Sequence, residues 1–101
     1  MRKIIVKSFG TYLTGREEGL NVFNFMTNEI KKNPGETFFL DFTDIPVMNH
    51  SFADEAFGNI QAEHPNVLII DKDIPHYLKV AFDVIEETRN LKFNYGTFKD
   101  Q

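Results

Sequence analysis

The stretch FFLDFTDIPVMNHSFADEAFG, residues 38–58, decides the fold of this 101-residue chain. It begins with three consecutive apolar side chains, as expected of a strand in the centre of a sheet or covered on both faces. Pro46 then prevents a central strand from continuing, because proline has no backbone N–H to donate. From Ser51 onward the apolar side chains recur on one helical face, which predicts a helix. The stretch is therefore a strand, an acid-rich bend and a helix start.

Strands and helices keep alternating on both sides of this stretch. KIIVKSF, residues 3–9, and NVLII, residues 66–70, are short β-branched runs that predict two more strands. Thr14 and Glu17 have capping-box spacing, which predicts the start of the first helix. Its inward face is expected to hold the apolar residues that recur every third or fourth position: Leu20, Phe23, Met26 and Ile30, widened by Val22 and Phe25. A third helix is expected over residues 74–88.

This order of elements predicts one α/β domain over residues 1–101, with its core at about residues 4–90. The central sheet should have about four strands, accompanied by about three helices, and the crossovers should be mainly parallel. LKFNYGTF, residues 91–98, alternates apolar and polar side chains, so residues 91–101 are either an edge strand or a packed tail. Pairing of two copies at that edge would give a homodimer, which is a further expectation.

Composition excludes several functional classes. The chain has no cysteine, which excludes disulfides, thiolate metal sites and cysteine nucleophiles, and which is compatible with a reducing cytoplasm. The net charge is −4 and the lysines and arginines are scattered, which argues against a nucleic-acid partner. The apolar runs are far shorter than the ~20 residues that span a bilayer. We therefore expect a cytoplasmic protein that binds neither nucleic acid nor membrane.

The acids at the bend have a structural explanation. Ser51 and Asp54 have the spacing of an N-cap and its third residue, so each side chain could satisfy a backbone amide of the new helix. Asp54 and Glu55 would also lie in the first turn, where the helix dipole favours a negative charge by about 0.3–1 kcal/mol each. The histidines lack the spacing of metal ligands. We therefore expect no metal and no cofactor at this bend.

A small acid-dependent or nucleotide-binding enzyme is the alternative. It would use four side chains: Asp41, Asp44, Asp54 and Arg16. Such an enzyme needs these groups to converge in a concave pocket, within hydrogen-bonding reach of one another. A protein-interaction module would instead show a shallow surface with exposed apolar atoms near residues 46–48. The chain has no P-loop, no GxSxG and no GxGxxG motif.

The same stretch resembles the signature of STAS domains, the fold of bacterial anti-sigma-factor antagonists. In that signature a strand delivers an aspartate and a hydroxyl residue, here Asp41 and Thr43, ahead of a polar helix start, here Asn49-His50-Ser51. FGTYLTGREEG, residues 9–19, together with LDFTDI and SFADEAFG, more closely resembles a family of small bacterial STAS-like domains of unknown function. The resemblance covers about residues 4–90.

The resemblance implies a non-catalytic regulatory module that docks a protein partner through residues 43–51, the partner being a histidine-kinase-like ATPase or serine kinase. It also implies a switch by serine phosphorylation at the helix start. Alignment on Asp41 puts His50 at the phosphorylated position and Ser51 directly after it, so Ser51 is the hydroxyl that could be modified. The docking and switch candidates are Ser51, His50, Asn49, Asp41, Thr43, Asp44 and Arg16. Arg16 is expected to pair with Asp41, Asp44 or Glu18, or with a partner's carboxylate.

Overall fold

The computed structural model describes residues 1–99, which contain six strands and three helices. The strands are β1 (Arg2–Ile5), β2 (Tyr12–Leu13), β3 (Phe38–Asp41), β4 (Val47–Met48), β5 (Leu68–Asp71) and β6 (Tyr95–Gly96). Helix α1 is Arg16–Lys32 and helix α3 is His76–Arg89. Helix α2, residues 50–63, has three continuous parts: an α-helical start (His50–Ala53), a π-helical turn (Asp54–Gly58) and an α-helical end (Asn59–Glu63).

A four-stranded sheet in the order β1-β3-β5-β6 forms the centre of the fold, and every neighbouring pair in it is parallel. β2 and β4 form a separate parallel pair in which Leu13 lies opposite Met48. The predicted α/β class, the four central strands and the three helices are therefore confirmed. Among residues 1–99, no helix is long and apolar enough to cross a membrane.

The first strand is shorter than the sequence predicts. β1 ends at Ile5, and residues Val6–Phe9 form a 3-10 helical turn instead of continuing the strand. The Ser8 hydroxyl donates to the carbonyl of Ile5 at 2.6 Å, which stabilises this turn. Val6 is buried by the turn, so its apolar side chain contributes to the core although it is not in the strand.

The two faces of the sheet have different environments. Side chains alternate along a strand, so Phe38, Leu40, Leu68 and Ile70 share one face, and all four are buried in the main core with residues of the helices. Phe39 points to the opposite face. It is only 4% exposed because the ring of Phe98 lies 5.6 Å from its own. The consecutive apolar residues of β3 therefore pack on both faces, as the sequence predicts.

The C-terminal segment provides both an edge strand and a packed tail. Tyr95 and Gly96 pair with β5, and Phe98 then packs over Phe39 with the ammonium of Lys3 5.2 Å from its ring centroid. Phe93 lies in the core, where its ring is 4.9 Å from that of Phe82. Residues 100–101 lie outside the described part of the chain.

The inward face of α1 matches the prediction only in part. The predicted Val22 and Met26 are buried, whereas the predicted Leu20 and Phe25 are 42% and 47% exposed, and Gly19 is buried as well. A Cβ on Gly19 would stand 2.8 Å from the carbonyl oxygen of Phe52, so glycine is what permits this close approach of α1 to α2. The apolar stripe alone could not reveal that the helix turns its glycine inward.

The start of α1 also differs from the prediction. Gly15 is the N-cap, with φ +89°, and among the described residues no side chain caps this end of the helix. The expected capping box between Thr14 and Glu17 is therefore wrong. The left-handed backbone at Gly15 favours glycine, and it turns the chain from β2 directly into the helix.

Candidate functional site

The start of α2 is capped by Asn49. Its side-chain oxygen accepts a hydrogen bond from the backbone N–H of Phe52 at 2.9 Å, and one from Gly15 at 3.3 Å. The backbone N–H of Asn49 donates to the carbonyl of Leu13 at 3.1 Å. One asparagine therefore holds the beginning of α2 against the turn that precedes α1.

Ser51 is consequently not the helix cap, and the predicted box between Ser51 and Asp54 is wrong. Asn49 and Ser51 are both good capping residues, and the long-range bonds of Asn49 to the β2 region select it. Ser51 lies in the first turn and is half-buried, as is His50 beside it. Within residues 1–99, the buried Nε2 atom of His50 has no hydrogen-bond partner.

Asp54 is buried beneath two arginines. Its carboxylate accepts from Arg89 Nε at 2.6 Å and from Arg16 Nη1 at 2.9 Å. Arg16 also donates to the carboxylate of Glu55 at 3.2 Å, and Arg89 Nη2 donates to the Asp54 carbonyl at 3.3 Å. The π-helical turn is therefore tied to the start of α1 and to the end of α3. The partners that we expected for Arg16 within the chain are wrong, because Arg16 pairs with Asp54 and Glu55 across the α1–α2 contact.

The two arginines also decide the charge of Asp54. Burial raises the pKa of its carboxyl, but the hydrogen bonds from Arg89 and then from Arg16 outweigh burial, and the pKa lies below its ordinary value. Asp54 is therefore a carboxylate with both oxygens occupied. A carboxylate held in this way is suited to fixing three helices together and poorly suited to exchanging protons with a substrate.

Asp41, at the end of β3, organises the bend. Its side chain accepts from the backbone N–H of Thr43 at 2.9 Å, and the ammonium of Lys3 lies 3.3 Å from it. Burial raises the pKa of Asp41, but the Thr43 hydrogen bonds and Lys3 together lower it below the ordinary value. Asp44 follows in a left-handed conformation with φ +58°, its side chain largely in solvent, and Lys7 is 3.8 Å away. The bend is therefore held in one shape while its tip stays exposed.

A shallow depression lies beside this tip. It has a volume of about 410 Å³ and is lined by Asp44, Ile45, Pro46 and Pro75. The Tyr77 hydroxyl donates to the carbonyl of Ile45, which holds the bend against α3. Burial raises the pKa of that hydroxyl.

The apolar side chains expected at the surface are there only in part. Pro46 is exposed, Val47 is half-buried and Met48 is buried. Met48 is turned inward because β4 pairs with β2 and alternates its side chains. The exposed apolar surface of the bend is therefore centred on Pro46 and is completed by Pro75, which the sequence reading did not consider.

The end of β5 repeats the turn at the end of β3. Asp71 accepts from the backbone N–H of Asp73 at 2.9 Å, as Asp41 does from Thr43. The two bends have related sequences, LDFTDIP at residues 40–46 and IDKDIP at residues 70–75, which is the signal that the sequence reading missed. Parallel strands bring both bends to one edge of the sheet, where a cleft of about 160 Å³ separates them.

The candidate residues therefore fall into two groups. Arg16 and Asp54 are bonded to each other in the helical layer, while Asp41, Thr43 and Asp44 belong to the bend after β3. Asn49, His50 and Ser51 form the link between the two groups. Arg89 was missed, since it lies 35 residues from Asp54 and no local pattern marks it. Within residues 1–99, no group of three or more histidine, aspartate or glutamate side chains could hold a metal ion.

The chain matches a protein-family model. The model described as a STAS-like domain of unknown function (DUF4325) matches residues 22–74, which is just over half of the chain. These residues contain β3, the bend after it, all of α2, β5 and the second bend up to Ile74. The FGTYLTGREEG segment and Arg89 lie outside the matched region. Comparisons with curated proteins and with solved structures give no match.

Proposed function

We propose, from the premise that this chain belongs to the family of STAS-like domains of unknown function, that it is a non-catalytic regulatory module that docks a protein partner. The docking face is the bend after β3 together with the start of α2, residues 43–51. The partner class that we propose is a histidine-kinase-like ATPase or serine kinase, as the likeness to anti-sigma-factor antagonists implies. A cytoplasmic location is part of the same proposal.

One observation carries this proposal: the acids of the stretch do not share a site. Asp54 is bonded to Arg16 and Arg89, Asp41 is bonded to Thr43 and Lys3, and Asp44 lies at the exposed tip near Lys7. An enzyme that used these carboxylates together would need them around one substrate. Their separation favours a surface role over the acid-dependent or nucleotide-binding enzyme.

The rigidity of the bend also supports docking. Hydrogen bonds fix it at Asp41, at Ile45 through Tyr77 and at Asn49 through Leu13, while Asp44 and Pro46 stay exposed. A surface that already has its bound shape loses little conformational entropy when a partner binds. Exposed apolar and acidic side chains on such a surface are available for a partner.

Ser51 is the switch that we propose. It lies in the first turn of α2, where the helix dipole tolerates a phosphoryl group. The group would add about −1.5 to −2 charges beside the docking bend without removing the Asn49 cap. Phosphorylation would therefore change the surface rather than the fold.

Affinity capture tests the proposal. The wild type and the variants Pro46→Glu, Asp44→Lys, Ser51→Asp and Ser51→Ala are immobilised, and bound proteins are measured by quantitative mass spectrometry. Glu63→Lys, an exposed charge reversal at the far end of α2, is the matched control. We expect the bend variants and Ser51→Asp to lose a partner that the wild type, Ser51→Ala and Glu63→Lys retain. A partner set that is the same in all six proteins would refute docking through this face.

A further inference from the structure

The FGTYLTGREEG segment builds a groove that the proposed docking face does not use. The groove has a volume of about 340 Å³ and lies where the 3-10 turn, β2, α1 and the start of α2 meet. Its apolar lining is Phe9, Leu13, Val22, Phe25 and Phe52, and Glu18 stands at its rim. Such a volume lies at the small end of the range typical of ligand pockets, and it suits one or two side chains better than a cofactor.

Four residues of the segment build this groove. Leu13 is buried and forms the floor. Gly19 allows α1 to approach α2 closely, and Arg16 fastens the two helices through Asp54. Phe9 forms a wall, its ring packed edge-to-face against that of Phe25 at 5.4 Å.

The walls of the groove keep apolar surface in water. Phe25 is nearly half exposed, and Phe9 is only partly buried. Packing a ring edge-to-face against another aromatic holds both in fixed positions rather than letting them collapse into the gap. Exposed apolar surface that borders a recess is typical of a protein-interaction site.

Glu18 indicates the charge of the occupant. Within residues 1–99 Glu18 makes no ion pair. Glu55, by contrast, forms an ion pair with Arg16 across the contact between α1 and α2. A carboxylate free at the rim of an apolar groove is complementary to a lysine or arginine beside an apolar side chain. A negatively charged chain of net charge −4 favours the same kind of occupant.

We propose that this groove receives a large apolar side chain, of leucine or phenylalanine size, from the partner protein, and that a neighbouring lysine or arginine of the partner pairs with Glu18. The inference rests on the proposed function and extends its docking face, because Phe52 directly follows the switch candidate Ser51. The partner segment lies across the start of α2, with one part on the bend and the other in the groove.

A peptide titration tests the groove by itself. The probe is a capped peptide that repeats leucine and lysine, and its control is the same peptide with glutamate in place of lysine. Amide NMR shifts of the isotopically labelled full chain are followed during each titration. We expect the lysine peptide to give saturable shifts concentrated at Phe9, Leu13, Val22 and Phe25, and the glutamate peptide to reach the same shifts only at higher peptide concentration.

Matched variants distinguish specific binding in the groove from non-specific attraction between charges. Phe25→Ser should weaken binding about tenfold, the loss expected when an aromatic surface is removed, whereas Leu20→Ser, similarly exposed on the same helix, should not. Glu18→Lys should weaken binding about threefold, while Glu17→Lys, the same charge change one residue earlier, should not. Equal effects of the two glutamate variants, or shifts spread over the whole surface, would overturn the proposal.

Two further results test the identity of the occupant and the independence of the two proposals. Self-association that Phe25→Ser abolishes would make a second copy the occupant and overturn the proposal of a foreign segment. Pro46→Glu lies outside the groove and should bind the peptide as the wild type does. Loss of partner capture in Pro46→Glu therefore tests the bend, and loss of peptide binding in Phe25→Ser tests the groove, so the two proposals fail separately.

Discussion

Asp54 and Asp44 lie ten residues apart in one acid-rich stretch, yet they have opposite surroundings. Asp54 is buried in the π-helical turn with an arginine on each oxygen. Asp44 stands in solvent at the tip of the bend, in a left-handed backbone conformation, with an exposed lysine 3.8 Å away. The first holds α1, α2 and α3 together, whereas the second is free to meet another molecule.

The difference shows that the charge of a side chain does not reveal its role until its partners are known. The buried carboxylate of Asp54 stabilises the fold, because Arg89, whose side chain is only 26% exposed, would be poorly solvated without it. An exposed carboxylate contributes little to stability, since water screens its single ion pair. The helical layer should therefore respond to mutation through stability, and the bend through binding.

The largest expected effect comes from removing the charge of Asp54. Asp54→Asn leaves Arg89 half-buried without a carboxylate, and we expect the free energy of unfolding to fall by about 3 kcal/mol. Asp44→Asn makes the identical chemical change in the bend and should stay within about 0.5 kcal/mol of the wild type. Urea denaturation measures both variants. Equal losses in the two would mean that Asp54 does not fasten the helices.

The second-largest loss of stability is expected at the contact of α1 with α2. Gly19→Ala puts a methyl group 2.8 Å from a backbone oxygen, so the helices must separate, and we expect a loss of about 2 kcal/mol despite the better helix propensity of alanine. Leu20→Ala, on the exposed side of the same helix, is the control and should cost less than about 0.5 kcal/mol. Unchanged thermal stability of Gly19→Ala would contradict this close packing.

A smaller effect distinguishes the two possible caps of α2. Asn49→Ala removes the acceptor for Phe52 and for Gly15, and should cost about 1 kcal/mol. Ser51→Ala removes a hydroxyl that caps nothing and should cost less than about 0.5 kcal/mol. Chemical denaturation measures the loss of stability in both variants. A larger loss in Ser51→Ala than in Asn49→Ala would identify Ser51 as the cap.

The smallest expected change is in the pH dependence of stability. The pKa of Asp54 is lower in the folded chain than the ~3.9 of an unfolded aspartate, so its stabilising contribution is complete above about pH 5 and declines as the pH falls below about 4. The gap in unfolding free energy between the wild type and Asp54→Asn should therefore narrow on acidification. A gap that is constant from neutral pH to strongly acidic pH would argue that the carboxyl titrates normally.

Local pattern was sufficient for much of the fold. The consecutive apolar residues of β3 predict a central strand, and Phe52, Ala53, Ala56, Phe57 and Ile60 are all buried along α2 as their spacing predicts. The family was also recognisable, because the strand, bend and helix start occur in the order that the STAS signature requires. These features depend on neighbours in sequence, which is why the sequence shows them.

The features that the sequence did not predict depend on contacts between residues that are far apart in the chain. Asn49 and Ser51 are equivalent as local capping residues, and only the turn at Gly15 selects between them. The partner of Arg16 is 38 residues away, and the position of Gly19 against α2 is visible only once both helices are placed. The sequence therefore did not show that the candidate residues divide between the helical layer and the bend after β3, although it identified each of them as a candidate.

The order β1-β3-β5-β6 has a consequence for how the chain is made. Each strand of the main sheet pairs with the one translated just before it in that sheet, so no early strand must wait for a late one to be inserted beside it. The sheet can grow along one edge while the ribosome is still at work, in keeping with the general tendency of domains to fold from their N-terminal end. The last addition to the sheet has two residues and is followed by the ring of Phe98, which covers Phe39 on the second face only after every other strand of the sheet has been translated.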